Sequence, residues 1–212
     1  GYTPTFQATM SAINAGNAPH IGHFSTGDGV AAIASDQYIP VSDLLGDRID
    51  FEDRFISPLT DYFKFPESDK FFSMPMNNST AIMNYNRDMF EEAGLDPDSP
   101  PRTFAEVRQV SEQLVSDTQA EFGCAWANVR WFVGQWHGWN DSFMYNEQNG
   151  RQAPEKGPSE VYFDREPART IYNWWNGMLD DGLYMPTQQG WGDASGAAMQ
   201  SWKAGITLGS TA

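Results

Sequence analysis

Segments with helical periodicity alternate with short apolar runs along the whole chain, and this alternation limits the folds open to it. Phe6, Met10 and Ile13 recur at helical spacing before Gly16, a residue that commonly ends a helix. Runs such as 122–127 have the length and composition of strands. Helices alternating with strands favour an α/β fold over an all-β sandwich or a helical bundle.

The remaining predicted elements follow from the same two periodicities. The most specific signal is the pair Thr103 and Glu106, a capping box in which each side chain binds a free backbone amide at a helix start. We expect that helix to end near Thr118. Further helices are predicted at 30–34, 87–93 and from Pro167 to Gly182, and further strands at 19–24, 70–76, 80–85 and from residue 206.

The charge balance and the single cysteine exclude several classes of partner and site. The 212 residues include 13 Lys and Arg against 28 Asp and Glu, a formal net charge of -15. A surface of that sign repels phosphate backbones and anionic headgroups, so we predict no nucleic-acid or membrane-surface partner. Cys124 is the one cysteine, which rules out an internal disulfide. No apolar run is long enough to cross a bilayer.

Candidate metal and catalytic motifs carry little weight. His20 and His23 are spaced as HxxH with Asp28 nearby, but on a short strand residues i and i+3 point to opposite faces, so we expect no metal. Adjacent acids such as Asp180 and Asp181 are typical of a solvated helix face rather than a glycosidase pair. The sequence contains no GxSxG nucleophile motif, no P-loop and no GxGxxG dinucleotide motif after a predicted strand. The sequence therefore predicts no enzyme activity and no cofactor.

Aromatic side chains are abundant and clustered. They make up 14% of the chain, and many of the eight Trp fall within 126–139 and 174–202. Aromatic rings suit the apolar faces of sugars and polyols, but they also dominate protein cores. Both interpretations stay open for this cluster.

Several motifs occur in the order found in one family. They are GNAPHI at 16–21, SMPMNNST at 73–80, MNYNRD at 83–88 with AGLDP at 93–97, and ITLGSTA at 206–212. In combination they resemble the family 1 extracellular solute-binding proteins of bacterial ABC importers, and within it the subgroup that binds glycerol-3-phosphate. The resemblance runs the length of the chain.

The resemblance implies a two-lobed α/β fold of the type II periplasmic-binding-protein kind, which closes around its ligand by hinge motion. Residues 1–45 would belong to the N-terminal lobe, and 46–212 would complete that lobe and cross into a helical C-terminal lobe near 120–212. The chain would be an internal fragment, truncated at both ends and incomplete in its second lobe. A periplasmic or extracellular monomer, with or without a lipid anchor, that docks on ABC permease subunits is expected.

The resemblance also implies four of the ligand contacts. Tyr2 matches a ligand-contacting tyrosine, and Trp131 matches a loop tryptophan that flanks the ligand. Ser79 and Ser210 match serines of two polar turns whose hydroxyls would donate to a phosphate oxygen. The alternative for the serines is that they merely form turns, and for Trp131 that it belongs to the core.

One position departs from the family pattern. The family's acidic residue, which accepts hydrogen bonds from glycerol hydroxyls, falls here on Ser25 or Thr26, depending on a one-residue gap. A neutral hydroxyl does not replace a carboxylate acceptor, and Asp28 lies at the same turn. We therefore assign Ser25 to the site and keep Asp28 as a compensating acceptor.

The predicted function is capture of sn-glycerol-3-phosphate, a glycerophosphodiester or a related sugar for uptake. Two alternatives remain. An oligosaccharide receptor of the same family would suit the abundant Trp and the loss of the acidic residue at Ser25. A carbohydrate-active hydrolase using a carboxylate pair is the alternative from another class.

Overall fold

The chain forms two compact units. The computed structural model describes residues 2–65, 68–127, 130–153, 155–187 and 194–211. Unit 1 comprises Gly1–Met76 and Tyr145–Val161, and unit 2 comprises Asn77–Met144 and Tyr162–Ala212. Each unit is described by itself, and the lobe boundaries expected near residues 45 and 120 stay predictions.

The helices and strands are mostly short. The helices are α1 (Tyr2–Asn14), α2 (Gly29–Ala34), α3 (Val41–Leu45), α4 (Phe51–Arg54), α5 (Ser57–Phe63), α6 (Arg87–Glu92), α7 (Phe104–Asp117), α8 (Arg130–Trp139), α9 (Asn146–Gly150), α10 (Ala168–Asp180) and α11 (Ala194–Gln200). The strands are β1 (Ala81–Tyr85), β2 (Phe122–Ala125) and β3 (Ala204–Ser210). Within the described ranges, no helix combines the length and the apolar character needed to span a membrane.

Unit 1 is built around an aromatic cluster. Its buried members are Phe51, Phe63, Phe71 and Phe72, and the rings of Phe51 and Phe71 stack with their centroids 4.3 Å apart. Short helices surround these rings, because aromatic burial rather than a sheet provides most of the apolar contact in this unit.

Arg151 attaches the 145–161 segment to the end of α5. Its guanidinium donates to the backbone carbonyls of Tyr62 at 2.7 Å, Lys64 at 3.0 Å and Asp61 at 3.3 Å. It also lies 4.6 Å from the centre of the Tyr62 ring. The last carbonyls of a helix have no partner within the helix, so one cation satisfies several of them at once.

Unit 2 contains a sheet in the order β1-β3-β2. β1 runs antiparallel to β3, with Ala81 opposite Ser210, and β2 runs parallel to β3, with Ala125 opposite Thr207. The carboxyl ends of β2 and β3 therefore share one edge of the sheet with the amino end of β1.

Helix α7 packs closely on this sheet. Leu114 of α7 is fully buried, and a Cβ atom placed on Gly123 of β2 would lie 2.2 Å from the Cβ of Ser111. Glycine is required at this position because any side chain would overlap the helix. The aromatic cluster completes the core, since Trp126 and Trp136 are 1% and 3% exposed.

Several predictions are confirmed. The fold is α/β, and Thr103 Oγ1 accepts from the Glu106 amide at 3.2 Å while the Glu106 carboxylate accepts from the Thr103 amide at 3.0 Å. The helix that they cap ends at Asp117, one residue before the predicted end. The strands predicted at 80–85, at 122–127 and from residue 206 correspond to β1, β2 and β3.

Two predicted strands are wrong. Residues 19–24 and 70–76 form no strand, and Phe71 makes only an isolated bridge with Lys64. Both runs carry apolar side chains, but Phe24, Phe71 and Phe72 bury them in the aromatic cluster of unit 1 instead of on a sheet face. An apolar run becomes a strand only when a neighbouring strand binds its backbone.

Candidate ligand site

Of the predicted site residues, Ser210 lies at one end of the β1–β3 pair, and Ser79 lies two residues before the start of β1. Ser210 is the last residue of β3 and lies directly opposite Ala81. The pairing continues one residue further, where the Thr211 amide donates to the Thr80 carbonyl at 3.2 Å. The Thr80 amide in turn donates to the Thr211 hydroxyl at 3.0 Å.

The register determines the face on which Ser210 lies. Directly opposite residues in an antiparallel pair share a face, so the side chains of Ser210 and Ala81 lie on the same face of the sheet. Ser79 precedes β1 on irregular backbone, where no register is defined.

Trp131 is the second residue of α8, the helix that follows β2 in the chain. The side chain is half-buried, packs against the core of unit 2 and has its ring 5.2 Å from that of Phe132. In open α/β sheets, ligands bind outside the carboxyl ends of the strands. The position is compatible with both a ligand contact and a core role.

Ser25 and Asp28 form a polar pair in unit 1. The Ser25 hydroxyl donates to Asp28 Oδ2 at 2.7 Å, and its backbone amide donates to the same oxygen at 3.3 Å. Asp28 is half-buried at the start of α2. Burial raises the pKa of the Tyr38 phenol, and the negative charge of Asp28 raises it further. The turn thus carries a carboxylate beside the position where the sequence has a neutral Ser25.

The other sequence candidates contribute no further geometry. Tyr2 begins α1, but its side chain, like that of Thr26, lies outside the described part of the chain. His20 and His23 are exposed on irregular backbone. Among the described residues, no group of three or more His, Cys, Asp or Glu side chains is arranged to hold a metal ion.

A depression of about 520 Å³ lies in unit 1, and the described residues that line it include none of the predicted site residues. Of the carboxylates that line it, Glu52 pairs with Lys64 and Asp50 accepts from the Asp53 amide. The depression is acidic, and two of its four carboxylates serve local structure, so we do not assign it as the ligand site. It is lined by Ser42, Gly46, Asp47, Ile49, Asp50, Phe51, Glu52, Asp69 and Phe71.

A match to a family model decides the classification. The model of the bacterial extracellular solute-binding proteins matches residues 6–211. The chain belongs to this family. The description of this family is that of extracellular proteins that bind solutes.

Similar proteins of known identity agree with this classification. The sn-glycerol-3-phosphate-binding periplasmic protein UgpB of Salmonella paratyphi A is 30% identical over 151 residues, 70% of this chain and 32% of that protein. The chain thus spans about a third of the length of its curated relatives.

Solved structures show the same fold. UgpB from Mycobacterium tuberculosis, in complex with glycerophosphocholine, superposes with a TM-score of 0.71 at 16% identity, covering 100% of this chain and 50% of that one. The GacH receptor of Streptomyces glaucescens, solved unliganded and with acarbose, gives 0.73 at 18% identity, covering 99% and 50%. The predicted type II periplasmic-binding-protein fold class is confirmed.

Proposed function

We propose that this chain provides ligand-binding residues of the substrate-binding subunit of an ABC importer. The ligand is sn-glycerol-3-phosphate, a glycerophosphodiester or a related sugar. The observation that supports the proposal is the β1–β3 register, in which Ser210 pairs with Ala81, two residues along the chain from Ser79. The printed name of the 30%-identical relative supports glycerol-3-phosphate as the first ligand to test.

The proposed chemistry is capture by hydrogen bonds. The Ser79 and Ser210 hydroxyls donate to the oxygens of one phosphate, and a hydrogen bond to a charged group contributes about 1.5–3 kcal/mol. Trp131 covers an apolar face of the ligand. The predicted contact Ser25 lies in unit 1, where the Asp28 carboxylate beside it offers the acceptors that a serine alone lacks.

Because the chain is strongly negative, the salt dependence of the association rate distinguishes an anionic ligand from a neutral one. A formal charge of -15 repels glycerol-3-phosphate at long range, so local donors must provide the attraction. Added salt screens the repulsion and should raise the association rate of glycerol-3-phosphate while leaving that of maltose unchanged. A neutral sugar as the natural ligand would show no such salt dependence.

The proposed setting is the one in which the family works. We propose a periplasmic or extracellular monomer that delivers its ligand to ABC permease subunits and binds no nucleic acid.

Titration calorimetry tests the proposal. The protein, expressed with any native flanking sequence, is titrated with sn-glycerol-3-phosphate, glycerophosphocholine and maltose. We expect one of the phosphate compounds to bind, with affinity reduced about tenfold or more by Ser79→Ala or Ser210→Ala. Ser99→Ala, in an exposed turn of unit 2, is the matched control and should bind as the parent does.

Three outcomes of this experiment have different meanings. Binding of maltose alone would replace the proposal with an oligosaccharide receptor. Hydrolysis of maltose during the titration, detected by chromatography, would show an enzyme and refute the transport function. Absence of binding by all three compounds would refute the ligand class.

A further inference from the structure

The two edges of the sheet in unit 2 differ in their backbone partners. β2 lies at one edge, and the segment that follows α10 covers it. The Cys124 amide donates to the Leu183 carbonyl at 3.0 Å, and the Met185 amide donates to the Cys124 carbonyl at 2.9 Å. β1 lies at the other edge, and no strand of the described ranges pairs with its outer side.

The hydrogen bonds between β1 and β3 identify the backbone groups that face this outer side. Just beyond the two ends of the pairing, the Thr211 amide donates to the Thr80 carbonyl at 3.2 Å and the Asn86 amide donates to the Gly205 carbonyl at 2.9 Å. Hydrogen-bonded pairs alternate along an antiparallel ladder, so every second residue of β1 turns its amide and carbonyl away from β3. The residues that turn outward are Ala81, Met83 and Tyr85.

These outward groups have no partner in the part of the chain that the structure describes. No described backbone or side-chain group hydrogen-bonds to the amides or carbonyls of Ala81, Met83 and Tyr85 on that side. Ala81 is only 7% exposed, so water reaches little of it. Buried backbone amides and carbonyls are nearly always hydrogen-bonded, and leaving one unpaired costs free energy.

The composition of β1 is not that of a strand that stays at an edge. Natural edge strands usually carry a charged residue, a proline or a bulge that prevents pairing with another strand. β1 has the sequence AIMNY, without a charge or a proline, and its register with β3 continues from Ala81 to Tyr85 without a bulge. Nothing in the strand itself therefore prevents pairing on its outer side.

The side chains of β1 indicate the kind of strand that fits beside it. Ala81, Met83 and Tyr85 lie on one face by the alternation of the strand, and all three pack on the core of unit 2. Met83 and Tyr85 are only half-buried there. A neighbouring strand with apolar side chains at alternate positions would extend this core over them.

We infer that β1 is an inner strand of the complete sheet, and that its outer edge binds a further strand of the same polypeptide from outside these 212 residues. The size of similar folds favours this occupant over a second copy. The chain covers 50% of the M. tuberculosis UgpB chain and 50% of the GacH chain, so each of those folds contains as much chain again. The inference does not depend on which ligand the protein binds.

Amide hydrogen exchange tests the pairing directly. The protein, expressed with its native flanking sequence, is transferred to D2O and followed by NMR. We expect the amides of Met83 and Tyr85 to exchange within about tenfold of those of Ile82 and Asn84, which donate to β3, because all four are then ladder amides. Exchange of Met83 and Tyr85 more than about a hundredfold faster than Ile82 and Asn84 would overturn the inference.

A proline at residue 83 provides a second test. The Met83 amide does not donate to β3, and proline is tolerated in a strand whose amide faces solvent. If a further strand binds this edge, Met83→Pro removes a ladder hydrogen bond and should lower Tm by at least about 5 °C more than Met83→Ala, which loses only the side chain. Ile82→Pro, which removes a donor to β3, sets the scale of a lost ladder bond. Equal Tm values for Met83→Pro and Met83→Ala would contradict the pairing.

Protein concentration distinguishes the two possible occupants. A strand of the same polypeptide protects Met83 and Tyr85 equally at all concentrations, with a monomer mass in light scattering. Protection that increases with concentration, together with a dimer mass, would assign the edge to a second copy and overturn the inference.

Discussion

Gly123→Ala tests the packing of α7 on the sheet of unit 2. The new Cβ would lie 2.2 Å from the Cβ, 2.4 Å from the Cα and 2.7 Å from the carbonyl oxygen of Ser111. Carbon atoms pack best at about 3.5–4 Å, so the helix must withdraw from β2 by more than an ångström. Because two of these atoms are backbone, rotation of a side chain cannot relieve the overlap.

We expect Gly123→Ala to lower the free energy of unfolding by about 3 kcal/mol, the upper end of the usual cost of overpacking a core. Gly205→Ala should cost less, because its Cβ would meet the flexible end of Leu114 at 2.7 Å. Gly138→Ala is the control. Among the described residues, apart from its chain neighbours and the backbone of its own helix, no atom lies within 4 Å of the added Cβ, and alanine favours the helix.

Urea unfolding followed by Trp fluorescence measures this effect in the correct unit, because all eight Trp fall in the sequence ranges of unit 2. A loss below about 0.5 kcal/mol for Gly123→Ala would refute the packing argument. So would a loss for Gly138→Ala as large as that for Gly123→Ala.

Three further predictions concern single side chains. Arg151→Ala should lower stability by about 2 kcal/mol and speed amide exchange in 145–161, since charged hydrogen bonds to the end of α5 are lost; unchanged exchange would contradict this. Burial raises the pKa of the Cys124 thiol to about 12, so the folded protein should resist a thiol-reactive dye at pH 8 and react fully in denaturant. Burial lowers the pKa of His137, so the folded protein favours the neutral ring. The contribution of His137 to the free energy of unfolding is therefore complete above about pH 6.5, the ordinary pKa of histidine, and declines as the pH falls. Unfolding free energies between pH 7.5 and 5 should fall more steeply for the parent than for His137→Gln, and equal slopes would contradict this.

Sequence patterns predicted the elements whose signals are local. The capping box at Thr103 needs only the chain within one turn of the helix, and it forms as expected. The ligand-binding roles predicted for Ser79 and Ser210 stay predictions. The pairing of Ala81 with Ser210 depends on the β1–β3 register across more than a hundred residues, which periodicity alone does not contain.

Other features lay beyond sequence reasoning for physical reasons. The apolar run at 70–76 fits a strand or an aromatic cluster equally well, and only the partners available to Phe71 and Phe72 decide between them. The Ser25–Asp28 hydrogen bond was foreseen only as two residues of one turn. The hydrogen bonds of the Tyr184 and Thr187 hydroxyls to the Trp126 carbonyl were not predicted, because a hydroxyl that binds a distant backbone carbonyl carries no sequence signature.

The central claim is that Ser79 and Ser210, which are far apart in the sequence, donate hydrogen bonds to one phosphate. A double-mutant cycle tests this claim most directly. Kd for sn-glycerol-3-phosphate and for glycerol is measured for the parent, Ser79→Ala, Ser210→Ala and the double variant. We expect each single variant to weaken glycerol-3-phosphate but not glycerol, and the combined loss to differ from the sum by a coupling energy of at least about 0.5 kcal/mol. Variants that bind glycerol-3-phosphate as tightly as the parent, or losses that simply add, would contradict the account.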